Sequence, residues 1–139
     1  MFVASFVVAG FNFKFAWTTL PEWITWVGVT IFLLSYILYA EVMRENAYLS
    51  RTIEIQQGQQ VIDTGLYGIV RHPMYLATIL MFLSMPLILG SIISFAIMLV
   101  YIPIIAIRIK NEERILEDGL RGYKEYKQRV KYKIIPFVW

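Results

Sequence analysis

From residue 74 to residue 107 the chain runs for 34 residues without a charged side chain. A soluble fold cannot hide such a run, because it has no polar face to turn to water. It is also too long for one crossing, since a single helix of that length would span roughly 50 Å against a hydrocarbon core of about 30 Å. The run therefore predicts a tight helical hairpin, with Leu89-Gly90-Ser91 as its turn and Pro86 and Pro103 as kinks. A second uncharged stretch, residues 23–40, predicts a membrane helix over about residues 22–43.

The flanks fit the same solvent. Phe11, Phe13, Phe15 and Trp17 mark an interfacial end of the first apolar segment, and Trp23 and Trp26 anchor the next, which Pro21 opens. Residues 2–17 are short for a span. They lack the basic n-region of a signal peptide and are expected to be the stub of a helix that starts in a longer chain. The fold class that follows is an all-α membrane protein with about three to four transmembrane helices. Residues 1–45 read as N-terminal membrane helices and residues 46–139 as a second region with its own polar apparatus.

That apparatus has two parts. Residues 46–71 form the one long polar stretch between apolar segments, with a weak strand-like alternation from Thr52 to Ile55 and turns at Gly58 and Gly65. From Arg108 the chain is charged again. The last membrane helix is expected to continue to Glu117 and to stop at Asp118-Gly119. A basic amphipathic helix is expected over 123–132, lying on lipid headgroups, followed by the interface-seeking tail Pro136-Phe137-Val138-Trp139. Of the 13 basic residues, all but Lys14 fall between Arg44 and Arg71 or from Arg108 onward, which predicts that these parts face the cytoplasm.

Several function classes drop out. There is no cysteine, so thiolate chemistry is excluded, and with His72 as the single histidine no multi-histidine metal site can form. A net charge of +3, placed beside apolar spans, points to a membrane surface and to no nucleic-acid partner. A chain with so few spans is expected to form a homo-oligomer that covers its helix faces.

The ends of the hairpin should bring Arg71-His72-Pro73 beside Arg108, Glu112 and Glu113, with Arg108 and Glu112 one turn apart on a helix. An Arg, a His and carboxylates gathered there suit a polar ligand beside an apolar one. Each piece also has a plainer reading: His72 and Pro73 as a helix start, Arg108 with Glu112 as an ion pair, Glu113 as a solvated carboxylate.

The order of the pieces is more specific than any one of them. Thr64-Gly-Leu-Tyr67 is followed by Arg71-His-Pro-Met-Tyr75, a hairpin, Arg108-x-x-x-Glu112-Glu113-x-x-Leu116, Tyr123-Lys-Glu-Tyr126-Lys-Gln-Arg-Val130 and Ile135-Pro136. This pattern resembles the isoprenylcysteine carboxyl methyltransferase family and its relatives, which include phospholipid methyltransferases. The resemblance covers about residues 46–139. It departs from the family at Leu66, where a proline is frequent, at Gly119-Leu-Arg-Gly122, where Phe-Gly is usual, and in having only a remnant of the N-terminal helices of the prenylcysteine enzymes.

The resemblance implies S-adenosylmethionine as cofactor and methyl transfer to a lipophilic acceptor. Carried over by position, it implies cofactor contacts at Gln59, Gln60, Val61, Ile62, Tyr67, His72, Pro73, Met74, Tyr75 and Glu112, with a further contact at Thr52. Arg108 would face the acceptor. Glu112 would pair with the cofactor's ammonium, and His72 and Tyr75 would hold its polar end or sugar. A carboxylate acceptor needs no general base, whereas an amine acceptor would use Glu113. Two rivals remain at this point, a non-enzymatic membrane assembly or anchor protein and a membrane reductase of the sterol type.

Overall fold

A computed structural model of the chain describes residues 1–49 and 54–139. The described residues are helical with no strand. The helices are α1 (Phe2–Phe15), α2 (Glu22–Glu45), α3 (Pro73–Ile88), α4 (Ile92–Met98), α5 (Tyr101–Gly119) and α6 (Tyr123–Arg129), and a short 3₁₀ turn spans Gly65–Gly68. Two runs are long and apolar enough to cross a membrane, Glu22–Glu45 and Ile92–Gly119, and two shorter apolar helices are Phe2–Phe15 and Pro73–Ile88. Part of the expected strand-like alternation lies outside the described residues, and Glu54 and Ile55 are irregular.

Local chemistry sets the helix ends. Pro73 opens α3, where its missing N–H leaves no bond unmade. The hairpin turns at Gly90, whose φ of 67° suits a residue without a Cβ. Ser91 then caps α4, its hydroxyl accepting from the Ser94 N–H. The second arm is not one kinked helix, as the sequence suggested, but two helices broken at Leu99-Val100. The cause is Pro103: it has no N–H for the Leu99 carbonyl, and its ring crowds that carbonyl.

The chain divides into two compact units, one comprising residues 1–37 and 77–104, the other residues 38–76 and 105–139. The division cuts through α2, α3 and α5. It therefore does not follow the sequence order of two successive regions.

The first unit is held by polar contacts inside an apolar exterior. Ser5 and Ser94 exchange hydrogen bonds between α1 and α4, each hydroxyl donating to the other's carbonyl at 3.2 and 2.8 Å. Asn12 uses its whole amide: it donates to the Thr18 and Gly90 carbonyls and accepts from the Thr18 N–H and hydroxyl. Phe2, Phe82 and Tyr101 form an aromatic trio with centroids 4.7–5.7 Å apart. Ser35 and Ser84 are also buried, while Val3, Phe13, Trp23, Trp26, Leu34 and Ile37 are exposed.

The second unit has an aromatic and aliphatic core. Leu120, Tyr123, Tyr126 and Val130 pack together with Ile55, Val61 and Leu116. The α6 helix is shorter than the expected 123–132 stretch. It is amphipathic as expected: Tyr123 and Tyr126 are buried in this core, and Lys124, Glu125 and Gln128 are exposed. The tail closes as a turn, the Trp139 carbonyl accepting from the Ile134 and Ile135 N–H groups, with Phe137 and Val138 exposed.

Candidate functional site

The second unit encloses a cleft of about 860 Å³, its open mouth included. Its walls come from residues that the sequence scatters between Asn46 and Tyr126.

One wall begins at the end of α2. The Glu45 carboxylate accepts the Leu66 N–H at 2.9 and 3.2 Å. Gly65 makes this approach possible: its φ is +55°, and a Cβ there would collide with the same carboxylate. The 3₁₀ turn that follows delivers Tyr67 into the cleft wall. The Tyr67 hydroxyl accepts from the Asn46 amide at 3.0 Å, and its carbonyl accepts from the Tyr126 hydroxyl at 2.7 Å. Burial raises the Tyr67 pKa to about 12, so the phenol stays protonated.

The polar end of the cleft is a three-residue chain. The Tyr75 hydroxyl donates to Glu112 at 2.6 Å and accepts from Arg108 Nε at 2.9 Å. The Arg108 guanidinium also lies over the Tyr75 ring, 6.0 Å from its centroid. Arg108 and Glu112, expected as an i, i+4 pair, are thus bridged by a tyrosine from the start of α3.

Most of the predicted site residues meet here. Gln59, Gln60, Val61, Ile62, Tyr67, His72, Met74, Tyr75, Arg108 and Glu112 all line the cleft. Within it the Gln59 side chain also closes a turn, accepting from the Gln56 N–H at 2.9 Å. Pro73 is fully buried and does not line the cleft; its place is in the first turn of α3. Thr52 lies outside the described residues.

Glu113 departs from expectation. It is neither solvated nor on the cleft, but 4% exposed within a buried ionic cluster. One of its oxygens accepts from Arg71 Nε at 2.7 Å and lies 3.1 Å from His72 Nε2. The other lies 3.8 Å from Lys127 and 3.7 Å from Lys133. Arg71 continues the cluster by donating to the Val130 and Lys131 carbonyls, and the Arg71 and His72 N–H groups bond the Tyr132 and Lys133 carbonyls. Helix α5 thus sends adjacent carboxylates to different duties, because successive residues on a helix point about 100° apart. Glu112 faces the cleft, and Glu113 ties the Arg71-His72 segment to residues 130–133.

The sequence reading missed Tyr48, Glu54, Tyr123 and Tyr126 as cleft residues. Only the two α6 tyrosines carried a signal, their i, i+3 spacing on a helix otherwise polar at every position.

The family model described as phospholipid methyltransferase matches residues 23–121, which hold the Tyr75–Arg108–Glu112 chain and most of the cleft. The chain belongs to that family. Membership together with the apolar helices makes it a membrane protein of a methyltransferase family. The chain is also similar to Delta(14)-sterol reductase TM7SF2 of Mus musculus, 34% identical over 91 residues that make up 63% of this chain. It spans 22% of the length of that relative.

Proposed function

We propose that this phospholipid methyltransferase family member binds S-adenosylmethionine in the cleft and transfers its methyl group to a lipophilic carboxylate or amine. The observation that carries this reading is the composition of the cleft wall. It places carboxylates, Glu54 and Glu112, among five tyrosines, Tyr48, Tyr67, Tyr75, Tyr123 and Tyr126. Anionic and aromatic faces together suit a ligand that carries a sulfonium and an ammonium.

Bound there, the cofactor supplies an electrophilic methyl carbon, so the protein's work is position and electrostatics. Glu112 binds the ammonium. Tyr75 fixes that carboxylate's orientation and accepts a second hydrogen bond from Arg108. Arg108 then holds a carboxylate or phosphate of the acceptor. Glu113 positions the wall through Arg71 and His72 rather than moving a proton, since its oxygens are already engaged. The concentration of basic residues in the second unit supports a cytoplasmic location for this chemistry.

The similarity to a sterol reductase favours a second reading, hydride transfer from a nicotinamide dinucleotide. The cleft fits it less well. A dinucleotide phosphate needs cationic partners, and of the two guanidinium groups that line the cleft among the described residues, that of Arg71 is committed to Glu113 and to main-chain carbonyls.

A thermal-shift comparison in detergent separates the readings. S-adenosylhomocysteine should raise the melting temperature and NADPH should leave it unchanged. A rise with NADPH alone would establish the reductase reading, and no rise with either would support a non-enzymatic membrane protein.

A further inference from the structure

The α6 tyrosines occupy the same core and differ in one respect. The Tyr126 hydroxyl donates to the Tyr67 carbonyl at 2.7 Å. The Tyr123 hydroxyl is buried and has no hydrogen-bond partner among the described residues. Tyr123 is 4% exposed, its ring packs 5.6 Å from that of Tyr126, and it lines the cleft. A buried phenol without a partner costs free energy that a phenylalanine of the same shape would not. As mere core filling, tyrosine is the worse choice at this position.

The surroundings say what kind of partner it lacks. Glu112, Leu116 and Leu120 follow one another at four-residue steps along one wall, about 12 Å from first to last. Leu116, Leu120 and Val61 pack around Tyr123 and Tyr126, yet the charges of Glu113, Arg71 and Glu112 also act on the Tyr123 hydroxyl, so the partner it lacks is a polar atom of whatever fills the cleft. Burial also keeps the Tyr123 pKa above its ordinary value, so the hydroxyl keeps its proton and can donate.

We propose that the Tyr123 hydroxyl is a ligand-binding group that hydrogen-bonds a polar atom of the cofactor bound in the cleft. This rests on the S-adenosylmethionine reading above. It goes beyond the family match, which ends at residue 121.

The test uses the full chain in detergent with Tyr123→Phe and Tyr126→Phe, reading the ligand-free melting temperature and the affinity for S-adenosylhomocysteine. Tyr123→Phe should melt at the wild-type temperature or above and bind S-adenosylhomocysteine about tenfold more weakly. Tyr126→Phe should melt lower, because it loses a made bond. Wild-type affinity in Tyr123→Phe would overturn the inference while leaving the cofactor reading intact. A ligand-free Tyr123→Phe that melts as low as Tyr126→Phe, or fails to fold, would overturn it too, since the hydroxyl would then have a partner within the protein. If the wild-type chain does not bind S-adenosylhomocysteine, the cofactor reading falls first, and that result needs no variant.

Discussion

The two compact units use the same residue types in opposite places. In the unit of residues 1–37 and 77–104, serines and Asn12 are inside, while tryptophans, phenylalanines and leucines face out. In the unit of residues 38–76 and 105–139, tyrosines, aliphatics and one ion cluster are inside, while Lys110, Lys124, Lys131, Glu54, Asp118 and Glu125 face out. Lipid tails are as apolar as leucine, so burying leucine between membrane helices gains little. Small residues and interhelical hydrogen bonds hold such helices instead. Water reverses that preference. The contrast is between a unit held by polar contacts and a unit held by an aromatic and ionic core, and the cleft lies in the second.

Substitutions in each unit can break this contrast. The largest loss is expected in the second unit, where Glu113→Ala leaves Arg71 buried without its carboxylate; about 3–5 kcal/mol of stability should disappear in denaturant unfolding in detergent. Gly65→Ala should cost about 1–3 kcal/mol by the same measurement, from its positive φ and the Glu45 collision. Asn12→Ala tests the first unit, and a loss of about 1–2 kcal/mol is expected as four hydrogen bonds go. If Asn12→Ala were neutral, polar contacts would not be what holds that unit together. Arg129→Ala, which removes an exposed ion pair with Asp63 at 2.6 Å, should change stability by less than about 1 kcal/mol.

Much of this was readable in the residues. The uncharged 34-residue run could only be membrane helices, and Gly90 was the one place for the turn. The motif order brought His72, Tyr75, Arg108 and Glu112 to one cleft before any coordinates. Three things were not readable. Pro103 was read as a kink, because a sequence does not show whether the turn before a proline stays helical. The separate duties of Glu112 and Glu113 depend on which helix face meets Arg71, and that is fixed by long-range packing of residues 130–133. Tyr75 as the link between Arg108 and Glu112 is likewise a product of tertiary geometry.

The most direct measurement is calorimetric titration of S-adenosylhomocysteine into the purified chain and into its Glu112→Gln variant, with melting temperatures recorded for both. The wild type should bind one equivalent. The variant should melt near the wild-type temperature yet bind at least about tenfold more weakly, since a charge-assisted hydrogen bond is lost. Equal affinity in the two proteins would contradict the assignment of the cleft as the cofactor site.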